Sequence, residues 1–416
     1  MASANGSPTV VKAARLIDCT DGSSRENMAV VVENGRIARV SPQHELAFPE
    51  GARPEVHDFG DATLLPGLID CHTHTNMRGD GSSVDDVHED DDDIHLIQGV
   101  RSARLAIESG VTTMRENGGW NRTTFSLKEG IRRGLVPGPR IVNCGRPITM
   151  TGGHCWMMGS QADGVDGVRK EVRRLVAEGA DYIKVMSSGG STRNSVPTRA
   201  SYSLEELAAI VDEAHVRGRL VGAHAHAVQA IANCLDAGVD MIIHCTFSNP
   251  DGSISLDQSL ADRIAESGVW VNPTLWIIML QIRHLEQKQD EEGLNREEET
   301  LLEASRYRVS RRLEVHRPLF ESGARFIGGS DCGWGAYPFG QFHEELKALT
   351  TVGLSSKQAL LAGTRDAAEA VGLPDSIGTL EAGKEADLLV VEGDPSRDLD
   401  DLTRVAAVFQ AGQRVK

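Results

Sequence analysis

This chain of 416 residues is short of the features that mark a secreted, membrane-bound or nucleic-acid-binding protein. Its seven cysteines are scattered, odd in number and never spaced as CxxC, which suits reduced thiols and not a disulfide framework. No run of about 18 apolar residues occurs, and residues 1–10 are small and polar, without the apolar centre of a secretion leader. The expectation is a soluble, cytoplasmic protein with no membrane partner. Basic residues number 43 against 60 acidic ones, for a net charge of −17. No basic stripe is left to neutralise phosphates, and nucleic acid is excluded as a partner. Hydrophobic content is 40% and charged content 25%, at a length that holds one α/β barrel of roughly 250–300 residues plus a smaller part.

The smaller part is read at the two ends of the chain. Residues 29–32 and 36–40 are strand-like and flank Asn34-Gly35, a strong hairpin signal. Residues 387–394 and 405–412 are β-rich apolar runs closed by turn residues. The pattern predicts a small β-sandwich built from residues 1–61 and 377–416 around a barrel over 62–376. Within the middle, eight apolar strands alternate with helical stretches, at 68–75, 111–117, 140–145, 181–187, 220–224, 240–244, 269–274 and 325–331. One intervening helix, over 203–217, opens with a Ser203…Glu206 capping box and stops at Gly218. Eight such units predict a distorted TIM (β/α)8 barrel, which carries its site at the carboxyl ends of the strands.

Those ends hold the chemistry. In a strand, His72 and His74 share one face, the pattern of a metal clamp, because imidazole suits zinc and its neighbours. The fourth strand offers Lys184, the fifth His224 with His226 on the same face, the sixth His244 and the eighth Asp331. Lys184 in an apolar strand is costly unless used. A desolvated amine can add carbon dioxide to give a carbamate able to bridge two cations. Cys71, Cys245 and Cys332 sit next to candidate ligands and, by alternation, pack away from them as small hydrophobes. The acidic run 85–93 reads as a solvated loop or helix start, and residues 286–303 as an exposed charged helix.

The strings Pro66-Gly67-Leu68-Ile69-Asp70-Cys71-His72-Thr73-His74, Gly110-Val111-Thr112-Thr113-Met114-Arg115, Gly222-Ala223-His224-Ala225-His226, Gly329-Ser330-Asp331 and residues 377–388 resemble the amidohydrolase superfamily. The resemblance spans nearly the whole chain and is strongest to its imidazolonepropionase-like branch, with prolidase-type dipeptidases and ochratoxin-type amidases. It implies His72, His74 and Asp331 on one divalent metal, His224 and His244 on a second, and carboxylated Lys184 bridging. Zinc is taken as the ion, although manganese and cobalt accept the same ligands. It also implies a homo-oligomer. His226 stands where certain dipeptidases carry the tyrosine that meets a substrate carboxylate, and Arg115-Glu116 ends the second-strand motif where aspartate is usual.

The expected reaction is cleavage of an amide C–N bond in a small molecule by a metal-bound hydroxide, with Asp331 carrying the proton. His154, after the third strand, is the candidate donor to the oxyanion. His226, Arg193 and Arg199 are candidates for the polar end of the substrate. Lactam or carbamate hydrolysis, deamination and a non-catalytic scaffold of the same fold are the rival readings.

Overall fold

The computed structural model describes residues 7–51 and 53–416. Eight parallel strands carry the middle of the chain: Leu68–Thr73, Val111–Glu116, Arg140–Asn143, Ile183–Met186, Val221–Ala227, Met241–Ser248, Trp270–Asn272 and Arg325–Phe326. The first three form one sheet. The last five, with the short strands Ile148–Thr149 and Ser160–Gln161, form another. Backbone bonds link the two: Asp331 N donates to His72 O (2.8 Å), His74 N to Cys332 O (3.0 Å) and, at the other edges, Asp181 N to Asn143 O (2.8 Å). The arrangement is an α/β fold of TIM-barrel type. Both faces of these strands are covered, so Leu68–Thr73 and Met241–Ser248 are buried at every position and the in–out alternation of a half-exposed strand is lost.

Helices return the chain between strands as the capping signals predict. Leu204–His215 has Ser203 as N-cap with a complete capping box to Glu206. The 286–303 region departs from expectation. It spans the end of one helix, Trp276–Glu291, and the start of a second, Arg296–Glu321. Glu291, Glu292, Glu297 and Glu299 are exposed as expected, yet the inner faces of the pair wall the main pocket. The acidic run falls on the helix Val84–His88 and the start of the helix Asp92–Glu108. Among the described residues no helix is long and apolar enough to cross a membrane.

Both ends of the chain meet in one eight-stranded sheet. Its hairpin Ser24–Glu33/Arg36–Pro42 turns at Asn34 (φ 52°) and Gly35 (φ 77°), the left-handed pair that a two-residue hairpin demands. Strand Ala62–Pro66 pairs with Leu388–Glu392 and with Thr9–Ile17, so this stretch, assigned from sequence to the barrel segment 62–376, lies in the terminal sheet. The chain crosses over at Gly67, where any side chain would strike Thr112. Arg140 pins the two parts together, bonding Asp387 Oδ2 at 2.7 Å and also Glu385. Leu389, fully buried, packs where the two parts meet.

Candidate active site

At the carboxyl ends of the parallel strands lies a pocket of about 740 Å³ that contains all six expected ligand residues, His72, His74, Lys184, His224, His244 and Asp331, together with His154 and His226. Period-two alternation delivers His72 and His74 to the same place, with Nε2 atoms 3.2 Å apart. Asp331 Oδ1 stands 3.3 Å from His72 Nε2 and 3.4 Å from His74 Nε2. Potential ligand atoms of His72, His244 and Asp331 lie within 4.8 Å of one another, as do those of His224, His226 and His244. His226, expected to meet substrate, is therefore placed among the candidate ligands.

Each imidazole is held at one ring nitrogen, which leaves the other for the centre. His72 Nδ1 meets Asn272 Oδ1 (3.1 Å), whose amide nitrogen donates to Gly329 O (2.9 Å) and so fixes which end of the amide faces the ring. His74 Nδ1 meets Gly118 O (3.2 Å), His224 Nε2 meets Gly189 O (3.1 Å), His244 Nδ1 meets Thr274 Oγ1 (2.7 Å) and His226 Nδ1 meets Thr246 Oγ1 (2.8 Å). Burial drives His72, His224 and His244 well below the ordinary imidazole value, and His226 down to about 3. Neutral rings are the form that binds cations.

Lys184 is buried and donates to Asn117 Oδ1 (3.1 Å); burial, partly opposed by Asp331, lowers its ammonium to about 8. Burial works to raise Asp331, but His72, His74 and Lys184 outweigh it and hold the carboxyl well below its ordinary range. The backbone at the rim is strained: His244, Thr274 and Asp331 have φ of 68°, 48° and 63° without being glycine. The surrounding bonds hold that conformation in place. Asp70 Oδ1 accepts the amides of both His72 (3.1 Å) and Ser330 (2.9 Å), tying the first strand to the Asp331 loop.

His154 is buried beside His224, with ring centroids 4.5 Å apart. Thr192 Oγ1 accepts the Cys155 amide (3.0 Å), which leaves its own proton for His154 Nδ1 (2.7 Å). That arrangement favours the tautomer with its proton on Nε2. A methyl group on Gly190 would lie 2.5 Å from Nε2, so the loop comes this close because it has glycine there.

Two sequence candidates fall elsewhere. Arg193 and Arg199 are exposed and outside the pocket lining, because the loop that carries them turns its guanidinium groups to solvent. The guanidinium groups on the wall are instead Arg308 and Arg312, from the helix Arg296–Glu321. Sequence reasoning also missed Asn272 and Thr274, although both stand at the end of the seventh strand, where reading every strand end would have found them. Glu116, left without a role, is buried and accepts the amides of Thr75 (2.9 Å) and Gly118 (3.2 Å), which frame His74. Cys71, Cys245 and Cys332 are buried in apolar clusters, and burial pushes the Cys71 thiol up to about 12.

Known proteins share this plan. Ochratoxinase of Aspergillus niger is 27% identical over 422 aligned residues, covering 94% of this chain and 82% of that protein; its crystal structure superposes with a TM-score of 0.82 at 25% identity, over 99% and 96% of the two chains. Imidazolonepropionase of Agrobacterium fabrum is 25% identical, covering 88% and 84%. The crystal structure of a Xaa-Pro dipeptidase with bound methionine in the active site gives a TM-score of 0.84 at 25% identity over 99% and 100%. The Amidohydrolase family profile matches residues 63–415, from the last strand before the first histidine pair to the end of the terminal sheet, and this chain belongs to that family.

Proposed function

We propose that this hydrolase cleaves the C–N bond of a small-molecule amide, an N-acyl amino acid, dipeptide or aryl amide, with two divalent metal ions, zinc first among the candidates. One observation carries the reading. His72 and His74 commit Nδ1 to Asn272 and Gly118, which turns both Nε2 atoms into the pocket, 3.2 Å apart and 3.3–3.4 Å from an Asp331 oxygen. Two imidazole nitrogens and a carboxylate oxygen converging at that spacing are a ligand set suited to a divalent cation.

The donors fit such an ion. His72, His74 and Asp331 would hold one, and His224 and His244 a second, with His226 in reach and carboxylated Lys184 bridging. When bound, the ions acidify water and polarise a carbonyl. The chain's own groups do the remainder. Asp331 accepts the proton of the attacking water and returns it to the leaving nitrogen. His154 Nε2–H, beside His224, donates to the carbonyl oxygen as its charge grows. The products are a carboxylate and an amine.

We read the two parallel sheets as one closed barrel, the terminal sheet as a β-sandwich formed by the strands between Thr9 and Pro66 and between Leu388 and Arg414, and the assembly as a cytoplasmic homo-oligomer. The test is elemental analysis of the purified protein alongside a hydrolysis screen of N-acyl amino acids, dipeptides and aryl amides. Bound metal and amine release are expected, with turnover abolished and metal content lowered in Lys184→Ala. Full turnover in the chelated protein would overturn the metal-dependent reading.

A further inference from the structure

One wall of the pocket is positive, in a chain of net charge −17. Apart from the candidate metal ligands Lys184 and Asp331, the charged side chains of the pocket lining are Arg308 and Arg312. Asp331 faces the histidine pair, so it does not neutralise the two arginines. Arg312 is only 4% exposed. Its Nη2 donates to Pro273 O and, at 3.5 Å, to Thr274 Oγ1, while Nε has no partner. Arg308 has one acceptor, Ser305 Oγ at 3.2 Å. Among the described residues neither makes an ion pair, in a protein whose other arginines do so repeatedly.

The two lie four residues apart and so share one helix face, where like charges repel. The buried acid Glu345, close enough to act on Arg312, has both oxygens engaged by the amides of Leu275 (3.0 Å) and Trp276 (2.7 Å). Burial pushes it up to about 8, so it is largely uncharged at neutral pH. A buried guanidinium without a counterion is expensive. A charge held in that state beside a cavity is suited to an anion that arrives with the ligand. Planar forked donors match a carboxylate, which they can bind through two bonds at once.

We infer that Arg312 and Arg308 form the receptor for a substrate carboxylate, so that the preferred substrates are N-acyl amino acids with a free acid. The receptor lies next to the candidate metal ligands: Thr274, which Arg312 touches, also holds His244. Carboxylate recognition thus passes from the fifth-strand position occupied by His226 to the helical wall. Along the same wall Ile277, Ile278 and Leu285 supply apolar surface for the side chain of the amino acid. This assignment rests on the amide-hydrolase reading, and its test separates the two.

Metal-loaded protein is titrated calorimetrically with N-acetyl-L-phenylalanine and with its neutral primary amide, and hydrolysis of the same pair is followed by amine release. The acid is expected to bind about 30-fold more tightly, the scale of a charge-assisted pair. In Arg308→Ala and in Arg312→Met the ratio of acid to amide should fall at least about tenfold, with the loss in KM for the acid. Arg308 is exposed, so its variant reports even where the Arg312 variant does not fold. Arg193→Ala/Arg199→Ala should keep the wild-type ratio. Equal binding of acid and amide, absence of binding by either, a ratio unchanged in Arg308→Ala, or a ratio that collapses only in the loop variant would each overturn the receptor. Arginine-dependent binding of the acid with no hydrolysis would leave the receptor standing and remove the proposed reaction.

Discussion

On one wall of the pocket the ends of the parallel strands hold five imidazoles, each bonded at one ring nitrogen to a carbonyl, a hydroxyl or the Asn272 amide. On the adjoining wall the helices Trp276–Glu291 and Arg296–Glu321 carry two guanidinium groups that make no ion pair among the described residues, beside aliphatic side chains that are half-exposed. The strand wall spends hydrogen bonds to fix geometry, which bond making and breaking requires. The helical wall leaves charge uncompensated, and that is useful only to a surface that selects what enters. Within one cavity, rigidity and selectivity are assigned to different elements. Terminal-sheet residues line neither wall, and the buried Leu389 joins that sheet to the rest by packing, beside the Arg140 ion pairs.

If this division is correct, damage to the strand wall should stop chemistry, and damage elsewhere should leave chemistry in place while altering selectivity or stability. The largest effect is expected for Lys184→Ala: turnover abolished and metal content reduced, measured by amine release and elemental analysis. Asp331→Asn should fold, as judged by circular dichroism, and lose at least about a hundredfold in kcat, the scale of a general acid–base group. A rate matching the parent would reduce Asp331 to a structural ligand. Asn272→Ala removes the partner of His72 Nδ1 and should weaken metal binding about 10- to 100-fold in a chelator competition. Unchanged affinity would mean that the ring does not need that support.

Smaller effects belong away from the strand wall. Leu389→Ala should cost about 2–5 kcal/mol of unfolding free energy in a denaturant titration, with metal content and the acid-to-amide ratio retained. The helical wall should show a pH signature through Glu345, whose oxygens satisfy the first amides of the helix Trp276–Glu291. Its folded-state carboxyl is raised, so between about 4.5 and about 8 the native protein holds a proton that the unfolded chain has released. The stability from this group is complete below that window and declines as pH rises through it, by up to about 1.4 kcal/mol per pH unit. In Glu345→Gln that part of the slope should vanish in parallel melts at pH 5 and pH 8. Parallel stability curves for the two proteins across the window would show that Glu345 ionises normally.

What could be read without coordinates was whatever a local repeat encodes. Alternation places His72 beside His74 in any strand, Asn34-Gly35 turns a hairpin, and Ser203…Glu206 opens a helix because capping is completed within four residues. His224, His244, Lys184 and Asp331 were legible because parallel strands bring their carboxyl ends to one rim. Tertiary structure alone decided the partners that hold them. Asn272 is 200 residues from His72, and nothing local distinguishes it from any other strand-end asparagine. The same holds for the substrate wall. Arg193 and Arg199 looked apt because their loop follows a ligand strand, but they face solvent. Arg312 was hidden in a charged helix, because which face of a helix turns inward depends on the residues packed against it from distant parts of the chain. Sequence by itself determined which groups reach the rim, through the period of the backbone; only the packing of remote segments decided how each is oriented and which charges remain unpaired.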